Sequence, residues 1–222
     1  MNHREHKGVP GMKRCSTYIT AFLLLAFTWL PLAFSQDTGQ EEVYRLANQV
    51  QKRISRLSNY GVFDEINYAI GPAADGGYEV VLRGFASRPT LQKSAQRQIE
   101  RIEGVSSVQN DIEVLPNNSG DERIRLAVYA NIYGHPVLSR YNPNRGAPAM
   151  GMRQTLTMGI STNPPMGPHP IHIIVNTGNV RLIGVVDTEG DKTIAAMQAN
   201  TVSGVFSVTD EIQFRQSKKS KK

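Results

Sequence analysis

The sequence predicts an α+β protein made of two α-β-β-α-β modules, each a three-stranded mixed sheet packed on two helices. Three observations predict this fold class. The stretch Tyr78–Val114 is echoed one hundred positions later, without a gap, by Gly178–Phe214. Within each copy, apolar residues alternate first at strand spacing and then at helix spacing. The period is too long for a solenoid repeat and suits a duplicated small domain.

The echo preserves positions that a fold depends on. The matching pairs are apolar core candidates, a small helix residue and turn glycines. They are Val80 and Val180, Leu82 and Leu182, Gly84 and Gly184, Ala95 and Ala195, Gly104 and Gly204, Val105 and Val205, Val108 and Val208, and Ile112 and Ile212.

Residues 1–35 have the features of a secretory signal peptide. The basic pair Lys13-Arg14 precedes the apolar run Ala21–Phe34, and small residues follow it. We therefore expect cleavage near Ser35-Gln36 and export to the periplasm. Retention of the segment as an anchor is the alternative, which the short apolar run disfavours. The one cysteine, Cys15, precedes that run, so the exported chain contains no disulfide.

The charge distribution argues against a nucleic-acid partner. From Gln36 onward the chain holds 21 Lys and Arg against 18 Asp and Glu, and five of these basic residues occupy the last eight positions. Residues 36–214 carry a net charge of −2, whereas nucleic-acid domains carry basic charge on the fold. The tail 216–222 is expected to be disordered. Its lysines either solubilise the chain or contact anionic lipid headgroups, and they are Lys218, Lys219, Lys221 and Lys222.

The first module, residues 41–116, opens with a predicted helix from Glu41 to about Leu57. An apolar stripe of helical period indicates this helix, and it comprises Val43, Ala47, Val50, Ile54 and Leu57. Two strands are predicted next from alternating apolar residues. The first strand contains Ile66, Tyr68 and Ile70, and the second contains Tyr78, Val80 and Leu82 and ends at Gly84.

A second helix and a third strand complete this module. Ser87 is the predicted N-cap, Pro89 lies in the first turn and Gly104 ends the helix. The helix presents an apolar stripe to the core, made of Leu91, Ala95, Ile99 and Ile102. The third strand leads from Val105 to Val114.

These residues together resemble a known family, the BON domain (bacterial OsmY and nodulation). The resemblance rests on V-x-L-x-G, a helix with a central alanine, and then G-V-x-x-V-x-N-x-I-x-V. Here the pattern is carried by Val80, Leu82, Gly84, Ala95, Gly104, Val105, Val108, Asn110, Ile112 and Val114. The stretch His172–Lys192 is similar to the second copy in exported double-BON proteins of the OsmY kind. The assembled spacing, found twice, covers about 170 residues.

The second module, residues 121–215, follows a polar linker at 117–120. Asp121 is the expected cap of a helix that runs to about Tyr133. A long insertion at 134–170, rich in proline, glycine and methionine, then separates helix from strand. We expect this insertion to be a functional or mobile loop, with a short strand at 153–160. A hairpin turning at 176–179 follows, and then a helix that one of Asp187, Thr188 and Glu189 caps.

No residue pattern indicates catalysis, a cofactor or a metal. His135, His169 and His172 lack the helical spacing of metal ligands and have no cysteine partner. The chain has neither a G-x-S-x-G motif nor a phosphate-binding loop. The carboxylates at 187–191 are expected to cap a helix, and a cation site there is the weaker alternative.

The two copies differ on their helix faces, and this difference defines the candidate site. Ser94, Arg97 and Arg101 of the first copy are replaced by the less polar Ile194, Met197 and Thr201. The first helix of the second module carries a core stripe (Ile124, Val128, Ile132) and also a second stripe, formed by Leu126, Tyr129 and Tyr133. This surplus apolar surface either contacts a membrane or protein partner, or is covered by the insertion or by the first module.

The resemblance implies a non-enzymatic envelope protein that associates with phospholipid membrane surfaces and supports envelope integrity, often under osmotic stress. The alternative is an adaptor that docks on an envelope channel or another envelope protein. The sequence leaves open the oligomeric state and whether the two modules touch.

Overall fold

The computed structural model describes residues 37–143 and 169–215. It confirms the α+β class and the two modules. Module 1 contains α1 (Asp37–Ser55), β1 (Glu65–Pro72), β2 (Tyr78–Ala86), α2 (Pro89–Ile99) and β3 (Val105–Val114). Module 2 contains α3 (Ser119–Gly134), a 3-10 helix (Leu138–Tyr141), β4 (Ile171–Asn176), β5 (Asn179–Val186), α4 (Glu189–Asn200) and β6 (Ser207–Phe214). Both modules lie within one compact unit, Glu41–Lys222, and Met1–Gln40 is a separate unit.

Each module has the same mixed sheet. The first two strands pair antiparallel, and the second and third pair parallel, giving the orders β1-β2-β3 and β4-β5-β6. The register also repeats, because Leu82 pairs with Asn110 and Leu182 pairs with Asp210. In both copies this polar side chain accepts a hydrogen bond from the amide of the isoleucine two residues later.

Gly84 does not end its strand, contrary to the sequence prediction. The strand continues to Ala86, and Gly84 sits within it at φ +124°. A β-carbon there would overlap the carbonyl oxygen of Glu65 on the paired strand. Gly184 repeats this geometry against the carbonyl of Pro170. The glycine is therefore required by a close backbone approach, not by a strand end.

The predicted stripe of α1 needs one correction. Leu46, which the prediction omitted, is fully buried, whereas Val43 and Ala47 are only half-buried. The buried row is Leu46, Val50 and Ile54, at the spacing of four residues that aligns side chains along one helix face.

Two predicted helix caps are also wrong. Arg88, not Ser87, is the N-cap of α2, and its side chain makes no cap hydrogen bond. Pro89 does open the helix, as predicted. For α3 the cap is Asn118, whose side-chain oxygen accepts from the Asp121 amide at 2.7 Å. For α4 the predicted cap Thr188 is confirmed, in a reciprocal capping box with Asp191.

The start of the insertion is folded, in contrast to the loop that the sequence predicted. After α3 the chain forms the short 3-10 helix, in which Leu138 and Tyr141 are buried against module 2. The proposed strand at 153–160 lies outside the described residues.

The two modules touch. Val62 and Phe63, which follow α1 in module 1, are buried in the hydrophobic core of module 2. The core of module 1 is a separate cluster built around Leu46, Leu82 and Ile99.

Candidate membrane-facing surface

Tyr129 and Tyr133 do not face outward, which corrects the expectation from the second stripe of α3. Their exposed fractions are 6% and 1%, and Leu126 is half-buried against the same core. The Tyr133 hydroxyl donates to the Ile171 carbonyl at 2.6 Å and accepts from the Ile171 amide at 3.1 Å. Burial raises the pKa of the Tyr133 hydroxyl. These tyrosines therefore have structural roles in the core.

The α4 part of the predicted surface divides into covered and exposed residues. Ile194 is half-buried against the core of module 2, whereas Met197 is 61% exposed. Thr201 is exposed, and its hydroxyl accepts a hydrogen bond from the Asn131 amide group at 3.1 Å. The four tail lysines, Lys218, Lys219, Lys221 and Lys222, lie outside the described residues.

A groove at one end of module 2 is the best candidate for a binding surface. It has a volume of about 710 Å³ and lies between the N-terminal half of α3, the β4–β5 turn and the segment after α4. Its apolar lining includes Ile124, Ala127 and Val202, and Asn118, Arg123 and Asn131 are among its polar residues. We call it the α3 groove.

Phe206 lines the α3 groove and is 80% exposed. Its ring lies directly against Gly178, the second residue of the tight β4–β5 turn, where only a glycine leaves room for the ring. The Phe206 amide also donates to the Gly178 carbonyl at 2.9 Å. The Phe206 backbone is thus fixed, and the ring lies against Gly178 with most of its surface exposed to solvent.

Sequence analysis missed Phe206 although the repeat contains the signal. The equivalent residue in module 1 is Ser106, whose hydroxyl donates to the Gly76 carbonyl in the corresponding turn. This serine-to-phenylalanine difference lies at the start of the third strand in module 1 and just before that strand in module 2, and not on a helix face.

Asp121 is the acidic residue that lines the α3 groove, and its carboxylate is already engaged in hydrogen bonds within module 2. The Asp121 carboxylate accepts from the amides of Thr177 and Gly178 at 2.9 and 2.8 Å, and from the Asn118 side chain. Burial alone would raise the pKa of Asp121, but these hydrogen bonds outweigh it and lower that pKa. The exposed charged side chain among the groove residues is that of Arg123.

The carboxylates at the start of α4 have a structural role. Asp191 is 2% exposed and accepts hydrogen bonds from Tyr141 at 2.9 Å, from the Thr188 hydroxyl at 2.7 Å and from Arg140. Within residues 37–143 and 169–215, no three His, Cys, Asp or Glu side chains are placed to hold a metal ion.

The three histidines within the described residues lie apart from the α3 groove. His169 is buried, with its ring 5.1 Å from that of Tyr133. His172 is on β4, where its Nδ1 atom lies 3.7 Å from a carboxylate oxygen of Glu65. His135 follows α3 and accepts from the Val137 amide.

The helices that the structure describes are too short or too polar to cross a membrane.

Comparison with known proteins relates the chain to a family. The model of the BON domain matches residues 74–116 and 157–216. The first match covers β2, α2 and β3, and the second includes β4, β5, α4 and β6. Two segments of the chain therefore match the BON domain, consistent with a double-BON protein. BON domains bind phospholipid membranes, occur in envelope-associated proteins and are non-enzymatic as a family.

Two solved structures are also similar to this chain. One is the C-terminal domain of CdsD, the structural protein of the type III secretion system of Chlamydia trachomatis, at 10% identity and TM-score 0.25, covering 77% of this chain and 98% of that one. The other is a second structure of CdsD, at 9% identity and TM-score 0.25, covering 78% and 94%. A search of curated proteins gives no match.

Proposed function

We propose that this chain is an exported, non-enzymatic protein of the bacterial envelope. In this proposal module 2 associates with phospholipid membrane surfaces, and the protein supports envelope integrity under osmotic or other stress. The observation that carries the proposal is the α3 groove, an apolar groove lined in part by the 80% exposed Phe206 and by Arg123.

The chemistry of these groups suits the boundary between lipid headgroups and acyl chains. Transfer of an exposed aromatic ring from water into the apolar region of the membrane is favourable. Little conformational entropy is lost when the backbone that carries the ring is already fixed. A guanidinium beside it can bind a phosphate oxygen while its stem covers apolar surface. Met197 is a second exposed apolar side chain of module 2, one helical turn before Thr201, which Asn131 of the groove contacts.

The test is binding of the chain from Gln36 to vesicles of phosphatidylglycerol or phosphatidylcholine. In Phe206→Ser the exposed ring is replaced by the residue that module 1 has at the same place, so the fold is retained. We expect binding to weaken about tenfold or more, since burying a phenylalanine contributes roughly 1.5–3 kcal/mol. Tyr44→Ser is the matched control, because Tyr44 is an exposed aromatic residue of module 1.

Comparison of the full chain with a chain that ends at Arg215 distinguishes binding by the groove from binding by the lysine tail. A chain that ends at Arg215 lacks four lysines, and the effect of their removal should disappear at about 0.5 M salt because salt screens exposed charges. The effect of Phe206→Ser should persist at that salt concentration. If only tail removal matters, the groove is not the contact. If no vesicle binds under any condition, the adaptor role is favoured instead.

A further inference from the structure

We infer that module 2 contains a built seat for module 1, and that the two modules unfold as one cooperative unit. The part of module 1 that docks is Gly61–Asp64, here called the docking segment. The seat is the region of α3 and β4 around Tyr129 and Ile173. This inference does not depend on the proposed function.

The docking segment is bound as a core element, not as a surface contact. Val62 is 0% and Phe63 is 1% exposed, and both belong to the hydrophobic core of module 2. The Phe63 ring meets the Tyr129 ring edge-on, with centroids 6.2 Å apart. The Ile173 amide donates to the Val62 carbonyl at 2.8 Å, so the segment also satisfies a backbone donor of β4.

Module 1 holds the segment in the shape that docking requires. The Asp64 carboxylate, 1% exposed, accepts from the Gly61 amide at 3.0 Å and from the Ser87 amide at 2.6 Å. This carboxylate therefore closes the turn that presents Val62 and Phe63, and anchors it to the end of β2.

The first helices of the two modules, α1 and α3, differ at the position where α3 contacts the docking segment. The buried Val50 and Ile54 of α1 correspond to the buried Val128 and Ile132 of α3. The residue that follows each of them is polar and exposed in α1, but is a buried tyrosine in α3. These residues are Gln51 and Ser55 in α1, and Tyr129 and Tyr133 in α3. Tyr129 of the second apolar stripe is thus explained by the Phe63 ring that it receives, whereas Tyr133 is hydrogen-bonded to Ile171 within module 2.

Contacts between the two sheets add to the seat. Glu65 lies 3.7 Å from His172, and the Asn176 side chain donates to Glu113 at 3.0 Å. The Arg181 guanidinium lies over the Phe85 ring, 5.2 Å from its centre. The modules are therefore joined along their sheets as well as through the docking segment.

Amide hydrogen exchange on the full chain tests the inference. Phe63→Ala, although it lies in module 1, should lower the protection of amides in α3 and β4 by about 100-fold or more, as expected when a buried phenylalanine is truncated. Phe63→Leu keeps most of the volume and should cost about tenfold or less, which keeps the test informative if the alanine variant does not fold.

Ile99→Ala is the matched substitution in the core of module 1, where Ile99 is fully buried. If the modules unfold together, it should lower the protection of the slowest amides in both modules by the same factor, about 30-fold or more. If Ile99→Ala leaves α3 and β4 unchanged, or Phe63→Leu affects module 1 alone, the modules are independent and the inference is wrong.

Discussion

At the scale of single residues, the repeated glycines show how strongly one backbone contact constrains the sequence. Gly84 and Gly184 both lie within strands at positive φ, and each faces a backbone carbonyl, that of Glu65 at the start of β1 and that of Pro170 just before β4. Their identity across the repeat was visible in the sequence. Its cause was not, because a glycine at a strand end and a glycine at a close approach give the same letter.

We predict that Gly84→Ala lowers the free energy of unfolding by about 2 kcal/mol or more, since the methyl group would force the paired strands apart in addition to the strain of positive φ. Chemical denaturation measures this. Gly71→Ala is the control, because a β-carbon at Gly71 meets no atom within 4 Å, and its cost should stay within about 0.5 kcal/mol. Equal costs for the two variants would contradict the close approach as the cause.

The Asp191 carboxylate makes the free energy of unfolding depend on pH in the acidic range. Burial on its own would raise the pKa of the Asp191 carboxyl, but hydrogen bonds from Thr188 and Tyr141 and the charge of Arg140 outweigh it and lower that pKa. A lowered pKa in the folded state stabilises the fold above the unfolded pKa of about 3.9, and this stabilisation is lost as pH falls through the folded pKa.

The free energy of unfolding should therefore fall as the pH is lowered from about 7 to about 3. We predict that Asp191→Asn is less stable at neutral pH by about 2 kcal/mol, because the buried network loses the negative charge of its acceptor, and that it loses less on acidification. Urea denaturation at the two pH values measures both effects. Asp75→Asn, at an exposed turn residue, should follow the unmodified chain. An acid response that Asp191→Asn leaves unchanged would rule out this carboxylate as its source.

At the scale of elements, α3 differs from the other helices because it is buried on two sides. Its residues Ile124, Val128 and Ile132 meet the core in the ordinary way. On its other apolar stripe, the Tyr129 ring contacts the Phe63 ring of module 1. The Tyr133 hydroxyl is hydrogen-bonded to Ile171 of β4. A helix with two apolar stripes predicts two contacts, but the pattern does not identify the second partner.

Tyr133→Phe tests the link between α3 and β4. The substitution keeps the ring but leaves both backbone groups of Ile171 without the hydroxyl that they share. We expect a loss of about 2 kcal/mol, because unsatisfied buried polar groups are costly. The midpoint of denaturation should fall at an unchanged slope. The exposed Tyr44 provides the control, since Tyr44→Phe should cost less than about 0.5 kcal/mol; a similarly small loss for Tyr133→Phe would contradict the role of its hydroxyl.

At the scale of the whole molecule, the inequality of the two copies has two separate causes. Of the two alternatives for the second stripe of α3, the structure shows cover and not outward contact: Tyr129 and Tyr133 are buried, and Tyr129 meets Phe63 of module 1. Met197 and Phe206 are exposed in the described part of the chain. The candidate surface therefore moves from the helix stripe to the α3 groove, which combines α3, the β4–β5 turn and Phe206.

The sequence by itself determined the module order, most of both cores and the register of the repeat. Local periodicity and turn residues specify these features, because they depend on neighbours within the chain. Only the tertiary structure decided which apolar faces are covered. Val62-Phe63 is a short apolar pair in a connecting segment, and its burial in module 2 depends on distant residues such as Tyr129 and Ile173, which lie 66 and 111 positions further along the chain. Such a contact leaves a surplus of apolar residues in each partner, but no pattern that joins them.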